Sequence, residues 1–177
     1  MPLCESGVVS KWSAFLNSRE ALDLKSGACR QQIKCIDCHD PHLAGEAGGL
    51  ASEIQNVATC VRCHEPFQDE ARLAEHTRHA SGSVTCLDCH MPRIVQGLEK
   101  VVRTHHISSP TDETMLRMAG PNACNICHLD RSIQWTKTEL NKGWAANIEP
   151  GGRWSSEYGE QLARPVGDAW LNHSQPV

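Results

Sequence analysis

The sequence predicts a mostly irregular fold with short α-helices and little β-structure, organised by something other than the packing of apolar side chains. Aromatic residues make up only 5% of the 177 residues, so the material for a large apolar core is scarce. Thirteen Gly and nine Pro interrupt most segments before a long helix or strand can form. The sequence contains ten Cys and ten His, which is unusually many for a chain this poor in bulky apolar residues. These residues indicate that something other than side-chain packing supplies part of the stability.

The charge and hydropathy patterns exclude several classes of protein. Lys and Arg number 17 against 21 Asp and Glu, a formal charge of −4, so no basic surface points to nucleic acid. No segment approaches the roughly 18 consecutive apolar residues that predict a transmembrane helix. Charged residues are 21% of the chain, below the level expected of a disordered tail. One folded domain remains the best interpretation.

Four copies of the motif C-x-x-C-H occupy residues 35–39, 60–64, 86–90 and 124–128. His is 10 of 177 residues, so His after all four pairs arises by chance with a probability on the order of 10⁻⁵. The cysteines are Cys35, Cys38, Cys60, Cys63, Cys86, Cys89, Cys124 and Cys127, and the histidines are His39, His64, His90 and His128.

This motif is the attachment signature of c-type haem. The two thiols reach the two vinyl groups of one porphyrin and form thioethers, and the adjacent His faces the iron as its proximal ligand. Structural zinc and a disulfide framework leave the following His unexplained. A thioredoxin-like motif needs a βαβ context, and iron–sulfur ligation favours tighter Cys runs. We therefore predict four covalently bound haem c groups.

Six further histidines are available as distal iron ligands: His42, His76, His79, His105, His106 and His173. Pro41 stiffens the turn after the first motif and directs His42 away from its own haem. His76 and His79 stand three residues apart on a predicted helix and would serve two different haems. Adjacent His105 and His106 point in different directions, so we expect one ligand from that pair. His173 is near the terminus, and Met91, Met115 and Met118 are poorly placed or apolar filler.

The segment from His76 to Trp135 resembles the haem-rich part of a bacterial family of multihaem cytochromes c, some of which carry tetratricopeptide repeats. It contains His76-Thr77-Arg78-His79, Cys86-Leu87-Asp88-Cys89-His90-Met91-Pro92-Arg93, His105-His106-Ile107-Ser108-Ser109-Pro110 and Pro121-Asn122-Ala123-Cys124-Asn125-Ile126-Cys127-His128. The resemblance implies a haem-organised fold and places the ligand at His105 rather than His106. No tetratricopeptide helices are visible in this sequence.

The chain divides into an N-terminal segment (1–30), a tetrahaem core (31–130) and a Trp-rich C-terminal strap (131–177) within one structural domain. Helical patterns cover 10–24, 66–79 and 131–142, and residues 94–95 and 101–102 predict a small hairpin. The strap holds four of the five Trp, which we expect to pack on haem edges or on a neighbouring subunit. Cys4 and Cys29 are predicted to be buried thiols or one disulfide; a lipidated Cys4 is the alternative.

The leading functional hypothesis is electron transfer by a tetrahaem cytochrome with two His on each iron, with no catalytic residues of its own. The alternative is a multihaem reductase of nitrogen or sulfur oxyanions with one open haem. Eight propionates and four ferric haems bring the net charge to about −8, which favours a basic docking surface on redox protein partners. We expect a larger complex or homo-polymer, and a periplasmic or extracellular location, because thioether attachment takes place outside the bacterial cytoplasm.

Overall fold

The computed structural model describes residues 20–42, 57–96, 100–110, 122–148 and 163–167, with the side chains of 94–96, 100 and 101 left aside. Six α-helices lie in these ranges: α1 (Glu20–Ser26), α2 (Ala58–Val61), α3 (Glu70–Thr77), α4 (Cys86–His90), α5 (Ala123–Cys127) and α6 (Ile133–Trp144). Two 3-10 turns cover Cys35–Asp37 and Glu65–Gln68, and two strands, β1 (Arg93–Gln96) and β2 (Lys100–Arg103), complete the order. The prediction of short helices with little β-structure is confirmed.

The two strands form the hairpin that the sequence predicts. They pair antiparallel, with Ile94 opposite Val102 and Val95 opposite Val101. β-Branched residues favour extended backbone and therefore support this register. The hairpin follows α4 and returns the chain past the third motif, since Thr104 N donates to the carbonyl of Pro92 at 3.0 Å.

Helix α3 ends earlier than the predicted helix over 66–79. It begins at its N-cap Asp69, whose carboxylate accepts a hydrogen bond from Arg72 N at 2.9 Å. It ends where Arg78 takes a left-handed conformation with φ of 56°. His76 therefore lies in the helix and His79 just beyond it, which corrects the expectation that both stand on one helix. The left-handed residue turns the chain between them.

The apolar core is small and belongs to the C-terminal part. Within the described ranges it consists of Ile133, Leu140, Ile148 and Val166, each at most 4% exposed. Val166 N donates to the carbonyl of Arg131 at 3.0 Å, which anchors residues 163–167 beside the start of α6. The scarcity of apolar residues elsewhere agrees with a fold that needs bound haem for stability.

Several expectations fall on residues outside the described ranges. They concern Cys4, Met115, Met118, Trp154, Trp170, His173 and most of the predicted 10–24 helix. Cys29 is described and half-buried, and it forms no disulfide with any described cysteine. The domain boundaries at 30 and 130 stay a prediction. None of the helices in the described ranges combines the length and apolar character needed to cross a bilayer.

Candidate haem sites

Each C-x-x-C-H motif folds as one helical turn. The His N–H donates to the carbonyl of the first Cys at 2.8 Å in the first motif, 3.0 Å in the second and 2.9 Å in the fourth. The third motif is helix α4 itself. Because residues four apart share one face of a helical turn, the first Cys and the His of each motif lie on the same side. This arrangement suits thioether attachment and axial ligation of one haem.

The turns are fixed by hydrogen bonds from within or beside each motif. In the third motif Thr85 N and Oγ1 both donate to Asp88, at 2.8 Å and 2.9 Å. In the first motif Lys34 N donates to Asp37 at 2.7 Å. An acidic residue two places after the first Cys therefore closes the turn at its N-terminal end in both motifs.

Asp88 also ties the third motif to the hairpin. Arg103 of β2 forms an ion pair with Asp88 at 2.7 Å and donates to the Met91 carbonyl at 3.3 Å. Burial alone would raise the pKa of Asp88, but the hydrogen bonds from Arg103 and Thr85 outweigh burial and the pKa lies below its usual value. The carboxylate is therefore ionised and holds α4 against β2 at neutral pH.

The fourth motif is fixed by the amide of Asn125, which is fully buried at 0% exposure. Its side-chain oxygen accepts hydrogen bonds from Asn122 at 2.7 Å and from Thr136 at 2.8 Å. Its nitrogen donates to the carbonyls of His128 at 3.2 Å and Arg131 at 3.0 Å. One side chain thus links α5 to α6 with all of its principal donors and acceptors used.

Three spare histidines lie against three motif histidines. The ring centroids are 6.1 Å apart for His39 and His105, with an interplanar angle of 19°. They are 6.2 Å apart for both His76 with His90 and His79 with His128, with interplanar angles of 6° and 37°. Every one of these pairs joins a predicted proximal ligand to a predicted distal ligand.

These separations test whether the residues fit a haem. A bond between an imidazole nitrogen and a protein-bound metal ion is about 2 Å, and the ring centroid lies roughly 1.1 Å behind that nitrogen. Two imidazoles on opposite sides of one iron would thus have centroids about 6.2 Å apart. The three observed distances match this value, so the residues present fit haem iron between the rings.

Hydrogen bonds at Nδ1 orient two of these rings. His90 Nδ1 lies 2.8 Å from the carbonyl of Ser108, and His79 Nδ1 lies 2.6 Å from the carbonyl of Thr77. A proton on Nδ1 leaves Nε2 free as the metal-binding nitrogen. Burial and the neighbouring His90 lower the pKa of His76, which favours the neutral imidazole that a metal requires.

The adjacent residues His105 and His106 have different partners in the structure. His105 lies against His39, whereas His106 Nδ1 makes a 2.9 Å hydrogen bond with Ser26 Oγ of α1. Ala28 N donates to the carbonyl of Ile107 at 2.8 Å beside this contact. The contact with α1 had no signal in the sequence, since Ser26 and His106 are 80 residues apart.

Two predicted ligands lie outside these three pairs, the proximal His64 and the distal His42. Both residues are exposed, and the His42 N–H donates to Asp40 at 2.9 Å in the turn after the first motif. Among the described residues, no aromatic or imidazole ring stacks on His64. The structure does not bring His42 and His64 together as a stacked ring pair.

Neighbouring motifs lie next to one another in chain order. Asp37 of the first motif contacts Arg62 of the second at 3.8 Å. The thiols of Cys60 and Cys86 are within hydrogen-bonding distance, a contact that lowers the pKa of the Cys86 thiol to about 7 and raises that of Cys60. Helices α4 and α5, which carry the third and fourth motifs, pack against each other.

Two Trp of the C-terminal strap pack inside the chain. Trp135 lies 5.0 Å from the His128 ring, and Trp144 Nε1 donates to the carbonyl of His76 at 2.7 Å. Arg78 covers the Trp144 ring at 5.4 Å. Trp135 and Trp144 therefore lie directly against two of the predicted ligands, His128 and His76.

Two protein families match consecutive parts of the chain. Residues 27–69 match the family of the doubled CXXCH motif, and residues 70–148 match the cytochrome c552 family. The motifs, the paired rings and these two matches together indicate a multihaem c-type cytochrome.

The curated relatives carry the name cytochrome c-552. The protein from Porphyromonas gingivalis is 30% identical over 86% of this chain and 32% of its own length. The Bacteroides fragilis protein is 26% identical over 65% of this chain and 26% of its own length. The chain thus spans about a third or less of the length of these relatives. No solved structure shows significant similarity to the chain.

Proposed function

We propose that this chain carries four haem c groups and relays electrons between redox proteins. Each C-x-x-C-H motif binds one haem through its two Cys and supplies the proximal His. The observation that carries the proposal is the set of three ring pairs at 6.1–6.2 Å, each joining a motif His to a spare His. Two imidazoles saturate an iron, which suits electron transfer rather than substrate binding.

The ligand assignment follows from the pairs. His105 serves the first haem, His76 the third and His79 the fourth. We assign His42 to the second haem, at His64, because His106 is engaged with Ser26 and His42 follows the neighbouring first motif. Haem supplies the redox chemistry when bound; the protein positions the irons, excludes water and sets their potentials.

Electrons pass along the haems in the order of the motifs. The contacts between Asp37 and Arg62, between Cys60 and Cys86, and between α4 and α5 support this order. His76 and His79, separated by Thr77 and Arg78, connect the third and fourth haems through one short backbone segment. Little rearrangement is needed when an electron moves between sites held this closely.

We further propose that the chain belongs to the cytochrome c552 family and acts outside the cytoplasm. There it docks to redox partners or to further copies of itself. The net charge of about −8 with ferric haem favours a partner with a basic surface. Such an association weakens as salt screens the charges. Stopped-flow reduction by a basic partner at two ionic strengths tests this: the second-order rate falls at high salt, and a salt-independent rate contradicts it.

One experiment separates the relay from the other candidates. The oxidised holoprotein should contain four low-spin haems, and its spectrum should not change on addition of nitrite or cyanide. Intact mass gives the haem number and electron paramagnetic resonance gives the spin state. A high-spin signal in the resting protein, or fewer than four haems, would contradict the proposal.

A second candidate is a reductase with one open haem at residues 60–64. The observation that favours it is the exposed His64, against which no ring stacks in the described part of the chain. An open iron would accept an oxyanion of nitrogen or sulfur as substrate. The same titration distinguishes the two, because nitrite would then shift the spectrum of one haem and turn over with a reductant.

A further inference from the structure

Arg78 lies between the two histidines that are proposed to ligate the third and fourth haems. It directly precedes His79 and follows His76 by two residues, at the end of α3. Its backbone is left-handed, with φ of 56° and ψ of 27°, and its N–H donates to the carbonyl of Ala74 at 2.8 Å. Gly and Asn adopt this conformation more readily than Arg does. An Arg at this position therefore points to a use for its side chain.

The side chain of Arg78 packs on the end of α6. Its guanidinium carbon lies 5.4 Å from the centroid of the Trp144 ring. A Cβ on Gly143 would lie 3.1 Å from Cδ and Nε of Arg78, so the missing side chain at Gly143 leaves room for this contact. The same indole donates a hydrogen bond to the carbonyl of His76 at 2.7 Å. One ring thus holds both the positive charge and the backbone of a proposed iron ligand.

Other arginines near the haem motifs have a different kind of partner. Three of them each form an ion pair with an aspartate, at distances of 2.7–3.8 Å: Arg62 with Asp37, Arg103 with Asp88 and Arg131 with Asp130. Within the described part of the chain, no carboxylate forms an ion pair with Arg78. An aromatic ring attracts a cation but carries no net charge to neutralise it. The positive charge of Arg78 is therefore held beside the proposed ligands without a protein carboxylate to offset it.

We propose that Arg78 raises the reduction potentials of the third and fourth haems and so draws electrons toward the C-terminal end of the relay. This inference rests on the proposed ligation of those haems by His76 and His79. A haem becomes more negative by one charge when it is reduced, and a positive charge held nearby favours the reduced form. The proposed ligands are two His on every iron, so the charges of the surrounding protein are left to set the potentials apart.

Redox titration of the holoprotein, followed at the haem absorption band, tests this inference. Low ionic strength is used because salt screens exposed charges such as that of Arg78. In Arg78→Gln two of the four midpoint potentials should shift to more negative values, and the other two should stay in place. Arg78→Lys keeps the charge and should retain most of the wild-type values. Lys142→Gln is the matched control, because it removes the same charge from an exposed position in the last turn of α6, and its potentials should equal those of wild type.

Unchanged potentials in Arg78→Gln, or the same shift in all four haems, overturn the inference. Electron paramagnetic resonance of this variant should still show four low-spin haems; a high-spin haem would also overturn the inference, because Arg78 would then hold a ligand in place rather than supply charge. If Arg78→Gln does not retain its haems, Arg78→Asn takes its place, since Asn tolerates a left-handed backbone, and the same negative shift is expected. Four low-spin haems in wild type together with unmoved potentials in the variant refute this inference alone. A high-spin or missing haem in resting wild type refutes the relay itself.

Discussion

The indole of Trp144 donates a 2.7 Å hydrogen bond from Nε1 to the backbone carbonyl of His76, 68 residues earlier in the chain. The bond joins the last residue of α6 to the helix that carries a proposed iron ligand. Arg78 closes over the same indole at 5.4 Å. The C-terminal strap is in this way connected to the proposed third haem site, and each of the two interactions can be removed separately.

Trp144→Phe should remove the hydrogen bond and keep an aromatic ring for Arg78. We expect a loss of about 0.5–1.5 kcal/mol in the free energy of unfolding, the usual net value of one hydrogen bond. Trp144→Ala should cost more, because the stacking with Arg78 is lost as well. Denaturant unfolding followed at the haem absorption band measures both. Equal stability of Trp144→Phe and wild type would show that the bond contributes nothing.

Asn125→Ala should weaken the junction of the fourth motif with α6. The change leaves Thr136 Oγ1 and the carbonyl of Arg131 without their buried partner, and each unsatisfied buried group costs about 1–3 kcal/mol. We expect a loss of roughly 2–4 kcal/mol and slower attachment of the fourth haem. Thermal unfolding and intact mass report these effects.

Thr138→Ala is the control for Asn125→Ala. Thr138 lies on α6, the helix that Asn125 contacts through Thr136; it is exposed, and its hydroxyl donates to the Gln134 carbonyl within α6 at 2.9 Å. This variant should stay within about 0.5 kcal/mol of wild type. A loss as large as that of Asn125→Ala would mean that any change in this helix is harmful and that Asn125 has no special role.

The number of haems is checked motif by motif. Intact mass should exceed the 19.5 kDa polypeptide by four haem masses. Changing both Cys of one motif to Ala, in each of the four motifs in turn, should remove one haem mass from the product. A double-Cys variant that keeps all of its haem mass, so that only the substitutions change the mass of the holoprotein, would contradict four attachment sites.

Local chemistry was predictable from the sequence, and long-range pairing was not. The Ile94–Val102 register follows from β-branched residues on two adjacent short runs. The spacing of Cys and His defines each haem turn without reference to the rest of the chain. The pairing of each spare His with a motif His depends instead on tertiary contacts, such as that between Ser26 and His106. No periodic pattern in the sequence predicts these contacts.

The early end of α3 is a second feature that depends on a contact distant in the sequence. Apolar residues between charged ones predict a helix through 66–79, but the left-handed Arg78 ends it before His79. The guanidinium group of Arg78 packs over the ring of Trp144, a residue much later in the sequence. Asn125 is a similar case, because one Asn inside C-x-x-C gives no sign that it is the most buried link between two helices.

His79→Ala should convert one haem from low spin to high spin. The ring of His79 lies 6.2 Å from that of His128, and its removal leaves one side of the proposed fourth iron open. Electron paramagnetic resonance should show one high-spin haem among four, and added imidazole should restore the low-spin signal. His106→Ala, whose ring binds Ser26 instead, should show four low-spin haems. High-spin haem in both variants, or in neither, would contradict the ligand assignment.

Leu140→Ala should show how much the strap contributes to holding the fold together. Leu140 is 2% exposed and lies in the small core with Ile133, Ile148 and Val166. Truncation of a buried Leu costs about 2–5 kcal/mol, a large share of the stability of a chain with so few apolar residues. Leu22→Ala, at a position 60% exposed, is the matched control and should change stability by less than about 0.5 kcal/mol. The midpoint of denaturant unfolding of the holoprotein measures both variants, and similar midpoints would mean that the haems alone hold this region together.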